Sequence, residues 1–449
     1  MSAFFGRRSG AALAAPALAL LLAACTPAAD RSAPRPEPSP RRPIASGEAV
    51  TFGVIGEPAT LNPYSPNASD LTYALVRPVY PSLFRLLPTG EPRPSLALSL
   101  DDTKTGARVR LRAATWSNGR AITAADVVDS IRRARAPSGF ARITGARARG
   151  RRTVVLRGKV ADWPETLATV AFVIPREGLS VSGGPYRVVS RTPGLEIVYR
   201  RNPTWWGAAP RLSRVSVQYA ASIDILLGLL HRGTFDAAAP PSTLGLDVRL
   251  GAAGLRRSSV LGWESIVLDL SRSDLTRPER VGVARAVDRS ALVDVFVRDD
   301  GRASFSLRPE PGPTGAAGPW ARSLGPASPT GQIVKIAAPR DDELLGLLQE
   351  AIYRQLQRAG IAAELTSIES SEYYGGWLEQ EAVDISLLRR AGAPGQSPNR
   401  AAFRDFDALP LAHVDSVVVW RPGLEGLRPN PTFEGPLWNL ERWHVAEPE

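Results

Sequence analysis

"QIVKIAAPRDDELLGLLQEAIYRQLQRAGIAAELTSI", residues 332–368, changes its hydrophobic period twice. "QIVKIAA" (332–338) suits a strand. From Asp342 onward Leu344, Leu345, Leu348, Ile352 and Leu356 recur at three- and four-residue spacing, which predicts a helix with one inward stripe, and Gly360 terminates it. "IAAELTSI" (361–368) predicts a second strand, "SEYYGGWLEQ" (371–380) a short helix and "VDISLLR" (383–389) a third strand. Strand and helix alternating in this way require parallel strands with right-handed crossovers, so the fold class is α/β.

The same reading extends outward. In "ITAADVVDSIRRAR" (122–135) Thr123 can cap a helix, Asp126 stands three residues later, and Ile122 can staple to Val127 across the first turn. Val127, Val128 and Ile131 form the inner stripe. "AVTFGVI" (49–55) predicts a strand, followed by turn chemistry in "GEPATLNPYSPN" (56–67). "GLSVSGG" (178–184) superficially resembles a nucleophile elbow, but the required glycine falls one place late, and "GGPYRVV" reads as a turn leading into a strand. There is no internal repeat.

The N-terminus carries Arg7 and Arg8, then a mostly apolar stretch from Ala11 to Ala24, short for a bilayer span and ordered like a secretion signal. "LAAC" (22–25) resembles a lipobox, which makes residues 1–25 a lipoprotein signal peptide and Cys25 the lipidated residue. Residues 26–47, rich in proline and arginine, read as an extended, disordered tether. Cys25 is the only cysteine in 449 residues, so no internal disulfide or cysteine zinc site exists and a sizeable core must hold the fold. With 44% hydrophobic and 22% charged residues the chain is globular, long enough for two or three lobes.

The net charge of +11 is partly external to the fold, because residues 1–46 hold six arginines against Asp30 and Glu37. His231, His413 and His444 are scattered without a helical i, i+4 pair, so no metal site is expected; no phosphate-cradling glycine motif is present, and no cofactor is implied. "ARITGARARGRRTVVLRGK" (141–159) is the densest basic run. It contains no aromatic residue on which a base could stack, which argues against nucleic acid and for a solvated hairpin face. Ten tryptophans and nine tyrosines suit either a cleft lining or a core, and the sequence leaves that choice open.

Five segments in order resemble one family. They are "TFGVIGEPATLNPY" (51–64), "LVRPVYPSLFRLLPTGEPRPSLALSL" (75–100), "VRLRAATWSNGRAITAADVVDSI" (109–131), "GGPYRVVSRTPGLEIVYRRNPTWWG" (183–207) and "RVGVARAVDRSALVDVFVRDDGRAS" (280–304). Together they resemble the bacterial extracellular solute-binding proteins of family 5, the oligopeptide- and dipeptide-binding lipoproteins of ABC importers. The resemblance implies a two-lobed periplasmic-binding-protein-like fold of class II. Its first lobe (48–260) would carry an extra subdomain, with a second lobe (261–414) and a return of residues 415–449 to the first. It implies a monomer, held outside the cytoplasm by a lipidated Cys25, that captures a small peptide or peptide-like solute between the lobes and delivers it to membrane permease subunits, without catalysis. The ligand-contacting residues it suggests are Glu57, Tyr64, Trp263, Tyr373 and Arg389. Where peptide-binding members carry an acidic motif for the peptide's free amine, this chain has Arg389 and Arg390, which favour a carboxylate or phosphate. A non-transporting sensor or interaction lipoprotein on the same fold stays open, as does an exported hydrolase, which would require Ser, His and Asp converging in the cleft.

Overall fold

Leu344, Leu345, Leu348, Ile352 and Leu356 are all buried along one side of the helix Glu343–Arg358, as their spacing predicts. Asp342 caps that helix by accepting a hydrogen bond from the Leu345 N–H (3.1 Å), and Gly360 ends it with φ at 77°. The helix packs on three neighbouring parallel strands, with Val334–Pro339 between Ala363–Ile368 and Ile385–Ala391. The computed structural model describes residues 49–65, 68–103, 105–134, 142–169, 172–251, 254–297, 301–303, 328–391 and 406–446. Cys25, the signal peptide and the tether all lie outside the described residues.

Those three strands end an eleven-stranded mixed sheet. After Ile385–Ala391 come two long antiparallel strands, Arg256–Asp269 and Ala408–Trp420, and then Ala237–Ala238, Ala49–Ile55, Arg214–Ala220, Glu196–Arg201 and Tyr186–Thr192; Gly301–Ala303 pairs beside Ala408–Trp420. The two long strands therefore belong to both halves. Their pairing runs from Arg256 opposite Trp420 to Asp269 opposite Ala408, with a register shift between Val260 and Glu264. At that shift Gly262 approaches so closely that a Cβ would lie 1.9 Å from the Val414 carbonyl oxygen. Glycine is the residue that fits there.

The cores fall on either side of this crossing. One is built from Ile266 to Val414 and includes the helices Arg277–Ala286 and Arg289–Phe296; others gather Val50, Phe52, Val217 and Trp443 under the opposite half of the sheet. A separate antiparallel sheet, in the order Ala97–Thr103, Gly106–Leu111, Thr153–Gly158, Ile143–Ala148, forms a subdomain with its own core around Trp116, Val127, Ile131 and Trp163. This is a two-lobed α/β architecture with an extra subdomain. Trp116, Trp163 and Trp443 are core residues, which settles for them the choice the sequence left open.

The helix Ala124–Ala134 starts as the sequence predicts. The Thr123 N–H and hydroxyl both donate to Asp126 (2.8 Å each), and Ile122 and Val127 are buried in one cluster. The expected short helix over 371–380 is different: single helical turns at Ser370–Glu372 and Leu378–Gln380 flank a π-turn at Tyr373–Trp377. The cause is the Gly375-Gly376 pair, since Gly376 adopts φ of 132°, outside the range of a continuous α-helix.

The C-terminal segment is tied down by charge as well as by apolar contact. Glu434, fully buried, pairs with Arg77 at 2.9 Å and with Arg85 at 3.3 Å, and accepts the Leu86 N–H at 3.0 Å. The Arg77 guanidinium also lies 4.2 Å over the Phe172 ring. Burial pulls its pKa down to about 10 against the opposing pull of Glu434.

Candidate functional site

Beside the crossing strands, a cavity of about 240 Å³ opens on the face of the sheet covered by the π-turn. Tyr373, Tyr374, Arg272, Arg389 and Arg390 line it together with Glu379. Two of the residues expected from the resemblance, Tyr373 and Arg389, are brought together here although they lie on different elements.

Tyr373 forms the floor. Its ring is fully buried, stacks on Trp377 with centroids 5.9 Å apart, and directs its hydroxyl at the carbonyls of Ala337 (3.1 Å) and Leu387 (3.0 Å). Burial raises its pKa, so the phenol stays neutral. Tyr374, packed edge-on against it with centroids 5.1 Å apart, is exposed to the cavity.

Arg389 is held by protein acceptors. Its Nη1 donates to Glu264 (2.8 Å), its Nη2 to Asp342 (3.0 Å) and to the Ser242 carbonyl (3.1 Å), and its Nε to the other Asp342 oxygen. Burial alone would lower its pKa, but Asp342 and Glu264 outweigh burial and raise it. The guanidinium thus joins Ser242, before the helix Leu246–Gly251, to the start of the helix Glu343–Arg358 and to a crossing strand. Thr243 and Arg249 reinforce the same junction, donating to Glu343 at 3.1 and 2.9 Å. The expectation that Arg389 grips a ligand anion directly meets a guanidinium already engaged by two carboxylates. The half-exposed cations at the cavity are Arg390, paired with Asp269, and Arg272, 3.7 Å from the same carboxylate.

The other expected residues lie elsewhere. Glu57 accepts hydrogen bonds from Arg191 (2.8 Å) and the Gly194 N–H (2.6 Å), anchoring the loop after the first strand to a hairpin. Tyr64 donates its hydroxyl to the Phe172 carbonyl and packs between two cores. Trp263 sits in the register shift of the crossing strand, with its side chain outside the described residues. Residues 392–405 lie outside them too. Sequence reasoning missed Tyr374, Arg272 and Asp342; of these only Tyr374 carried a signal, as the second aromatic of the Tyr-Tyr-Gly-Gly pattern.

Two serines, Ser182 and Ser265, are engaged in structure. Ser182, fully buried, bonds the carbonyls of Val79 and Tyr186. Ser265 and His413 lie 3.0 Å apart across the two long strands, but both are buried within the sheet. Among the described residues no group of three or more His, Cys, Asp or Glu side chains is placed to hold a metal ion.

Two separately cored halves joined by paired crossing strands define a two-lobed binding-protein fold, and known structures share it. The chain superposes on the binding protein AgaA in complex with agropinic acid from A. tumefaciens R10 with a TM-score of 0.75 at 17% identity, covering 89% of this chain and 99% of that one. The oligopeptide-binding protein AppA from Bacillus subtilis, in complex with a nonapeptide, gives 0.74 at 16% identity over the same shares. NikZ from Campylobacter jejuni, in complex with Ni(L-His), gives 0.72 at 16% identity, covering 88% of this chain and 99% of that one. The chain belongs to the bacterial extracellular solute-binding proteins, family 5, whose model matches residues 91–403. It is 25% identical over 303 residues to protein XP55 of Streptomyces lividans, covering 61% of this chain and 54% of that protein. It is also 27% identical over 234 residues to the oligopeptide-binding protein OppA of Mycobacterium tuberculosis, covering 44% of this chain and 38% of that protein. The chain thus spans about half or less of the length of the curated relatives it matches.

Proposed function

We propose that the protein captures a peptide-like solute between its lobes and delivers it to the permease of an ABC importer, without chemistry. The observation that carries this reading is the crossing itself. Two strands of 14 and 13 residues join halves with separate cores, and the irregularity in their pairing gives a natural place for rotation. Lobe boundaries at 260/261 and 414/415 fall at that irregularity, which supports the division into 48–260, 261–414 and a return over 415–449. The 27% identity over 234 residues to the oligopeptide-binding protein OppA supports a peptide-like solute.

The cavity beside the π-turn is the wall we assign to solute on the second lobe. Tyr374 supplies an apolar face with a polar tip, Arg272 and Arg390 supply cations for a carboxylate or phosphate, and Tyr373 and Arg389 support them from below. Glu57 and Tyr64 would act as supports of the first lobe, and Trp263, at the crossing, stays the residue we assign to solute there. Export and anchoring through Cys25 complete the reading, as the N-terminal sequence supports. Native mass spectrometry of the purified protein tests it. A co-purifying small molecule, released on unfolding and rebound with a decrease in radius of gyration by X-ray scattering, is the expected result. A protein that carries nothing, and whose scattering is unchanged by peptide mixtures of any charge, would overturn it.

A further inference from the structure

The densest basic run of the chain folds as the hairpin of Ile143–Ala148 and Thr153–Gly158, at one side of the subdomain sheet. One face of this sheet is core, with Ala107, Val109, Leu111, Val154 and Leu156 packed around the helix Ala124–Ala134. Alternation along the strands turns the other residues outward. Arg108, Arg110, Arg147 and Arg157 share that outer face, all exposed, with Val155 between Arg108 and Arg147 across the sheet. The turn that closes the hairpin adds Arg149, Arg151 and Arg152, also exposed.

None of these seven arginines has an ion-pair partner among the described residues. Buried or half-buried arginines such as Arg77, Arg389 and Arg421 are, by contrast, matched by carboxylates. The only acids in the four strands are Asp101 and Asp102 on the edge strand, Asp101 standing opposite Arg108, so cations outnumber acids on this sheet. The occupant follows from the chemistry of the face. Nucleic acid would want aromatic platforms between the cations, and none is present. A protein interface would want a centre depleted of charge, whereas here charge fills the centre. A pleated sheet face with unmatched guanidinium groups instead complements a plane of phosphates.

We propose that this face lays the protein on an anionic membrane surface, its arginines meeting lipid headgroup phosphates. The geometry rests on the proposed anchorage at Cys25, which would hold the protein at the membrane surface. The charge of the face is independent of that reading. Each arginine near such a surface contributes about fivefold in partition, so the four on the face amount to several hundredfold, on the order expected for a durable but salt-sensitive contact.

The test is neutron reflectometry of the full chain on supported bilayers, either phosphatidylcholine alone or a mixture with phosphatidylglycerol. On the anionic bilayer the protein layer should abut the headgroups at low salt and stand off at high salt; on phosphatidylcholine it should stand off at both. The variant R108Q/R110Q/R147Q/R157Q should stand off on every bilayer, and Lys at the same four positions should restore contact. If the glutamine variant fails to fold, R149Q/R151Q/R152Q in the turn provides the comparison. An equal height on both bilayers, or contact that survives neutralisation of the arginines, would overturn the proposal; docking on an acidic permease loop would give the former. Loss of the protein layer from phosphatidylcholine on washing would count against the anchor alone. An unanchored chain must still bind the anionic bilayer at low salt, and failure to do so sinks the arginine face by itself.

Discussion

Replacing Arg389 by methionine keeps most of the side-chain stem and removes the guanidinium that joins Ser242, Asp342 and Glu264. Arg389 and Asp342 are each 14% exposed and Glu264 33%, so this cluster sits largely inside the protein. Truncating one partner of a buried ion pair costs about 3–5 kcal/mol because the other charge is left without compensation. Two features place R389M near the lower end, at about 3 kcal/mol. Glu264 can be rehydrated through its exposed third, and Asp342 keeps the Leu345 N–H at the helix N-terminus (3.1 Å). The assay is urea unfolding of R389M, D342N and the double variant as a cycle. A coupling of about 1.5–3 kcal/mol is expected for groups that share an ion pair. Coupling within about 0.5 kcal/mol of zero would refute the reasoning. If Arg389 served the solute and not the protein, R389M would lower solute affinity and leave the unfolding midpoint in place.

Glu434→Ala should be more costly, about 3–5 kcal/mol, since it leaves Arg77 buried and charged and the Leu86 N–H without its acceptor; a loss below about 1 kcal/mol in urea unfolding would contradict the assigned role. Gly262→Ala would drive a Cβ against the Val414 carbonyl and should destabilise by about 1–3 kcal/mol, with weaker solute binding, as read by thermal unfolding and calorimetry. Asp126 is raised by burial but lowered further by hydrogen bonds from Arg120 and Thr123, so its folded pKa lies below the ordinary value. Its stabilising contribution is therefore present above the unfolded pKa, about 3.9, and disappears as pH falls through the lower folded value. Asp126→Asn should cost about 1 kcal/mol at neutral pH, and the difference from the native chain should vanish in acid; an unchanged difference at low pH would count against this.

Local periodicity made much of the fold legible. The stripe from Leu344 to Leu356 and Gly360 are local signals, and each is found where its spacing puts it. The Thr123–Asp126 start is likewise a contact between residues three apart. What escaped the sequence depends on distance along the chain or on a local conflict. Arg389 meets Glu264 across 125 positions and Ser242 across 147, so nothing in the neighbourhood of "LLRR" announces that its charge is answered from within. The cavity draws Arg272 and Arg390 to Tyr374 from separate elements for the same reason. The π-turn escaped because the apolar pattern of 371–380 fits a helix while Gly376 does not.

The position of the Arg389 cluster bears on how the two halves would move. Ser242, whose carbonyl Arg389 holds, also donates its hydroxyl to the Asp415 carbonyl at 2.7 Å, and Asp415 follows Val414 on the crossing strand. The tie therefore sits at the crossing and not at a distant rim. Near a pivot, distances change little as an angle opens, so such a tie resists sliding of the strands while opposing rotation only weakly. The arm further out, between Arg249 and Glu343, is 24% and 44% exposed and contributes about 0.2–1 kcal/mol. Reversing a 99-to-1 preference between two states takes about 5.5 kcal/mol of differential binding. On the proposed mechanism that difference must come from solute enclosed against Tyr374, Arg272 and Arg390. The charged cluster then fixes the register in which the halves meet, and the solute decides how often they do.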